Sequence, residues 1–267
     1  MKEYNTKKQA ILVVSFGTTH AGTRGRTIEA IEQDIREAFP ECPVYRAWTS
    51  QMVIDKVRTC EGLDVDTVEG ALDRMEADGI KKVILQPTHV MDAIENRQMK
   101  LTAFSRVYGF EQIAFGAPLL STKESDLDSV IDAVMAEFTN LDDDTALVFM
   151  GHGTAMDAHS VYAALDKRFH TRGYEHVFVG TMGDKEALEI LKYRVAEYGC
   201  RKVILAPLLI VAGAHATRDM AGAHDNSWKS QFASEGFEVS CVMKGLGEYK
   251  GIRKIFVEHA RMRMIHM

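Results

Sequence analysis

The chain has 267 residues, 46% hydrophobic and 26% charged, enough apolar material for one large α/β domain or for two lobes. A formal net charge of -6 gives no overall positive field to favour nucleic acid or an anionic membrane, so an anionic ligand must be met by local donors. No stretch approaches the roughly 18 to 20 apolar residues of a membrane span, and Cys42, Cys60, Cys200 and Cys241 are scattered without a C-x-x-C pair that would suggest a thiolate zinc site.

Taken in chain order, short β-branched runs alternate with longer segments of helical period, as a parallel sheet with crossover helices requires. The N-terminal "MKEYNTKKQAILVV" passes from charged residues into a short apolar run without the pattern of a secretory signal, so a cytoplasmic location is the simplest expectation. The pattern predicts a strand at 10–15 (AILVVS), a helix at 25–38, a strand at 43–47 (PVYRA) and a helix at 66–78. A strand at 82–87 (KVILQP), a helix at 95–107, a strand at 112–115 (QIAF) and a helix at 124–138 follow. Beyond them come strands at 145–150 (TALVFM), 176–179 (HVFV), 202–207 (KVILAP) and 237–241 (FEVSC), with helices at 158–170, 185–198, 217–233 and 249–263.

These eight β/α units contain a repeat. "KKVILQP" at 81–87 recurs as "RKVILAP" at 201–207, and "LVVSFGT" at 12–18 has a counterpart in "LVFMGHGT" at 147–154. The expected fold is therefore α/β with an internal duplication: two similar lobes, each a four-stranded parallel sheet flanked by helices. Residues 1–140 form the first lobe and 141–267 the second, with "TNLDDDT" (139–145) as the crossover and the last helix free to pack back on the first lobe. A single closed eight-stranded barrel is the alternative. In open parallel sheets ligands sit beyond the carboxyl ends of the strands.

Two histidines stand at such ends. In "MGHGT" glycines flank His152, so the chain can turn sharply and a ligand can approach closely. In "VAGAHATRDM" a small-residue turn leads into His215, where Asp219 is placed to orient the ring. Two neutral imidazoles suit a divalent ion such as Co²⁺, Ni²⁺, Fe²⁺ or Zn²⁺. The "MGHGT" turn lacks the Ser, Cys or Asp of a nucleophile elbow. With neither a G-x-G-x-x-G nor a P-loop, no nucleotide is expected.

"LVVSFGT", "RAWTSQMVIDKV" (46–57), "GAPLLST" (116–122), "VFMGHGT" (148–154), "PLLIVAGAHATRDMAG" (207–222), "DNSWK" (225–229) and "GLGE" (245–248) together resemble the anaerobic sirohydrochlorin cobaltochelatases, class II chelatases of cobalamin biosynthesis. The resemblance runs nearly end to end. It implies a two-lobed chelatase that inserts Co²⁺, its substrate metal, into sirohydrochlorin without ATP, with His152 and His215 as metal-binding and catalytic residues. Other members commonly carry a glutamate after the sixth strand as a third ligand. Here "VGTMGDKEA" (179–187) places Gly183 at that point, leaving Asp184 or Glu186 to serve if the loop shifts. His89 matches a further family histidine and joins Arg46, Arg97, Arg218 and Lys244 as candidates for binding the carboxylate-rich tetrapyrrole. The implied partner is that small molecule, with no nucleic acid and no membrane, and a homo-oligomer is left open. The same ligands would also serve a chelatase for Fe²⁺ or Ni²⁺, or a non-catalytic tetrapyrrole or metal carrier.

Overall fold

The computed structural model describes residues 8–153 and 156–265, with the backbone alone for 156–159 and 265. It contains two four-stranded parallel sheets. The first has the order β2 (Val44–Trp48), β1 (Gln9–Ser15), β3 (Lys82–Pro87), β4 (Gln112–Phe115). The second has the order β6 (Val177–Thr181), β5 (Thr145–Gly151), β7 (Lys202–Pro207), β8 (Glu238–Cys241). The identical strand order in two separate sheets excludes the closed barrel.

The central strands β1 and β5 are buried almost end to end, which explains their unbroken apolar runs: helices cover both faces of a parallel sheet. The repeat also holds in register. Val14 of β1 pairs with Pro87 of β3, and Met150 of β5 pairs with Pro207 of β7. The next amide donates to the same carbonyl in each copy, Thr88 N–H to Val14 and Leu208 N–H to Met150, both at 2.8 Å. Each sheet buries one face under two helices. In the first copy these are α4 (Val68–Ala77) and α5 (Ile94–Ser105), through Leu72, Met75, Met99 and Ala103. In the second they are α8 (Lys185–Tyr198) and α9 (Trp228–Ser234), through Leu191, Val195, Trp228 and Phe232.

Three helical expectations need correction. The helix expected at 25–38 is α1 (Ala21–Arg26) followed by α2 (Ile28–Ala38), broken at Thr27, whose amide hydrogen-bonds back to the Arg24 carbonyl. A further helix, α3 (Gln51–Glu61), was not anticipated; Ser50 caps its amino end and Gly62, at φ +64°, ends it in the left-handed conformation. The single helix expected at 217–233 is a π-helical turn, His215–Met220, followed after a bend by α9, whose cap Ser227 also donates to the Gly222 carbonyl at 2.6 Å.

The chain divides into two compact units, with the boundary between Leu119 and Leu120 rather than at residue 140. The cause is α6 (Glu124–Met135), which ion pairs fasten to α7 (Met156–Thr171): Asp128 to Arg168 and Asp132 to Arg172, each at 2.7 Å. From Ile252 the chain rejoins the first unit. There α10 (Lys250–Ile265) pairs Arg253 with Asp34, and its His259 hydrogen-bonds the Ala117 carbonyl.

Candidate metal centre

His152 follows β5 directly, and the neighbouring strands fix that point on both sides. Met182, just past β6, donates its N–H to the Gly151 carbonyl at 3.0 Å, while Leu208, just past β7, holds Met150. The flanking glycines are required by space. A Cβ on Gly151 would lie 2.6 Å from the Tyr162 ring, and one on Gly153 would lie 2.3 Å from the Met182 carbonyl oxygen. The His152 backbone N–H donates to the Tyr162 hydroxyl at 3.3 Å. Burial pushes the Tyr162 phenol well above its ordinary range, so it stays neutral behind the turn.

His215 opens the π-helical turn, an element that recurs at functional sites. Its Nδ1 lies 2.7 Å from Asp219 Oδ2. Arg218 holds the same carboxylate from the other side, Nε to Oδ1 at 2.7 Å and Nη2 to Oδ2 at 3.1 Å. That guanidinium, and then the imidazole, keeps the Asp219 carboxyl below the usual carboxylate range, against the opposing effect of partial burial. An anionic acceptor needs a donor opposite, so Nδ1 of His215 carries the proton and the lone pair sits on Nε2. The two imidazole rings stand 5.1 Å apart between centroids, inclined by 68°. A metal ion about 2.0 to 2.1 Å from one nitrogen of each ring fits that separation.

Gly183 sits in a left-handed turn at φ +92°, where an added Cβ meets nothing within 4 Å. Asp184 caps α8, accepting from the Ala187 N–H at 3.0 Å, and exposed Glu186 lies in that helix's first turn. Among the described residues no group of three His, Cys, Asp or Glu is gathered around one point. Arg46 lies within β2 and is bound by Glu32 at 2.6 Å and by Glu29, a binding that meets its charge inside its own unit. Lys244 pairs with Glu137 and lies 4.5 Å over the Tyr249 ring. Arg97 is exposed on α5, and Arg218 acts on Asp219. His89 follows β3 with neither ring nitrogen hydrogen-bonded in good geometry, and burial lowers its pKa to about 4 against Glu95, Asn96 and Asp92. Sequence reasoning missed Tyr162; ten positions beyond His152 on another element, it leaves no local signal. Thr154, the last residue of the "MGHGT" motif, lies outside the described residues.

Residues 9–265 match the family model for cobalt chelatase (CbiK). A sirohydrochlorin cobaltochelatase of Salmonella typhimurium is 35% identical over 257 residues, covering 94% of this chain and 95% of that one. The sirohydrochlorin cobaltochelatase CbiKC of Nitratidesulfovibrio vulgaris is 33% identical over 255 residues, covering 94% and 89%. In fold the chain is similar to the sirohydrochlorin chelatase SirB of Bacillus subtilis subspecies spizizenii, solved with cobalt, at TM-score 0.63 and 14% identity over 95% of this chain and 94% of that one. By sequence along nearly its whole length, the chain belongs to the cobalt chelatase (CbiK) family.

Proposed function

We propose that the chain inserts Co²⁺ into sirohydrochlorin without ATP, with His152 and His215 as the residues that hold the incoming ion. The observation that carries this reading is the pair of imidazole rings 5.1 Å apart, His152 directly after β5 and His215 opening the π-helical turn beyond β7, where Asp219 orients it. Metallation must strip water from the ion, present it to one face of the macrocycle and remove two pyrrole protons as metal–nitrogen bonds form. Imidazole ligands replace part of the hydration shell and leave coordination positions open for the macrocycle. As the ion departs, the nitrogen it vacates becomes a base at the reacting face. Asp219 serves that step as well, because an anion on Nδ1–H raises the basicity of Nε2.

Two neutral imidazoles place no fixed anion on the ion. Unless the loop carrying Asp184 and Glu186 rearranges, water fills the remaining positions, which favours quick transfer over tight storage. The reading places the enzyme in the cytoplasm; among the described residues no helix is long and apolar enough to cross a membrane. The test is an anaerobic assay of the purified chain with sirohydrochlorin and Co²⁺, Fe²⁺ or Ni²⁺ in parallel, following the absorption change on metallation. Cobalt insertion well above the uncatalysed rate is expected. Tight tetrapyrrole binding with no rate gain for any ion would instead identify a carrier.

A further inference from the structure

The carboxylate that orients His215 is shared. Oδ2 of Asp219 accepts from His215 Nδ1 at 2.7 Å and from Arg218 Nη2 at 3.1 Å, while Arg218 Nε takes Oδ1 at 2.7 Å. The backbone of Arg218 is fixed as well, its carbonyl accepting from the Gly222 N–H at 3.2 Å and from His224 Nε2 at 2.8 Å, so the guanidinium is set against Asp219 by the fold of the turn. Summed over His152, His215, Asp219 and Arg218 the fixed charge is zero with both imidazoles neutral, because the guanidinium cancels the carboxylate that backs His215. That balance has a direction. A carboxylate on Nδ1–H makes Nε2 a stronger ligand, but one whose charge is shared with a guanidinium does so less, and the guanidinium itself repels a dication. Both effects weaken the hold on an ion.

We infer that Arg218 is a positioning residue for metal release: acting through Asp219, it keeps His215 a weak enough ligand to surrender Co²⁺ to the macrocycle. The inference rests on the proposed role of His215 in holding the ion. A chelatase gains nothing from a tightly loaded state, because stabilising the bound ion without stabilising the transition state of transfer raises the barrier to insertion. The Arg218 side chain is 65% exposed, so solvent screening holds its effect on affinity to about tenfold.

Titration calorimetry of Co²⁺ into the full chain, with no tetrapyrrole present, tests this. Arg218→Gln should bind Co²⁺ about tenfold more tightly than the wild type, and single-turnover transfer from the loaded protein to sirohydrochlorin should slow by a similar factor. Arg218→Lys keeps the charge and should stay within about twofold of wild-type affinity. In an Asp219→Asn background the gain from Arg218→Gln should shrink to less than about threefold, because the carboxylate it acts through is gone. Arg201→Gln removes a guanidinium paired with Asp144 at the opposite, amino edge of the same sheet, and should leave Co²⁺ affinity unchanged. Affinity in Arg218→Gln equal to or weaker than wild type overturns the inference, the weaker case meaning that the guanidinium only steadies Asp219. So does a gain that persists in full in the Asp219→Asn background, or one that Arg201→Gln reproduces. A His215→Ala variant that binds Co²⁺ as tightly as wild type overturns the ligand role of His215 itself, and this inference with it.

Discussion

His152 and His215 are partly exposed and neither fills the core, so their removal separates chemistry from stability. Either His152→Ala or His215→Ala is expected to reduce cobalt insertion at least about a hundredfold while leaving the melting temperature nearly unchanged; full activity in both variants would sink the assignment. Asp219 acts at one remove, through the orientation and basicity of His215. Asp219→Asn keeps the shape but removes the anion, and Co²⁺ affinity measured by titration calorimetry should fall roughly 10- to 100-fold. Gly183 is the third residue of interest, because its Cβ position opens into space but its backbone is left-handed. Gly183→Glu should cost about 1 to 2 kcal/mol of stability through that conformation and still tighten Co²⁺ binding if the position is a vacant ligand site. Unchanged affinity in a folded variant would show that this chain holds its ion without a carboxylate there.

At the scale of elements, the site consists of two strand ends and the turns that leave them. The β5 turn is visible in sequence as an apolar run followed by G-H-G, and the structure supplies the spatial reason for both glycines: a tyrosine ring behind one and a carbonyl oxygen beside the other. Because Gly153 has a Cβ position only 2.3 Å from the Met182 carbonyl, Gly153→Ala must push the β5 and β6 ends apart. A cost of about 1 to 3 kcal/mol is expected from the urea midpoint, together with a loss of cobalt insertion larger than the loss of stability explains. A variant as active and as stable as wild type would mean the turn is looser than its packing indicates. The turn after β7 was less legible. Its residues have helical composition, yet Gly222 brings the backbone against the Arg218 carbonyl, and Ser227 ties down the Gly222 carbonyl and starts a new helix. The result is a short π-helical turn rather than a long helix.

At the scale of the whole molecule, His89 links stability to pH. Its pKa in the folded chain, about 4, lies below the roughly 6.5 of an unfolded histidine. The folded state therefore binds fewer protons, so the stabilisation is fully present above about pH 6.5 and is lost as pH falls towards 4, by on the order of 3 kcal/mol. His176, also lowered by burial, acts in the same direction, so the comparison of wild type with His89→Leu isolates the His89 share. Urea midpoints at pH 7 and pH 4.5 should differ less in His89→Leu than in the wild type; equal differences would remove His89 from the account.

The sequence by itself determined the duplicated α/β plan and the glycine turn that carries His152 out of β5, because burial periodicity, strand boundaries and glycine turns are local properties that a repeat states twice. It could not place the seam between the units, because α6 is drawn to α7 by Arg168 and Arg172, some 40 positions away in the chain. Nor could it tell that Arg46 is bound by Glu32, that Asp184 is engaged as a helix cap, or that Tyr162 backs the His152 turn. Each of those outcomes depends on which partner reaches a charge or a hydroxyl first. Only the tertiary structure decides that, since a polar side chain's role is set by neighbours brought together in space rather than by its own place in the chain.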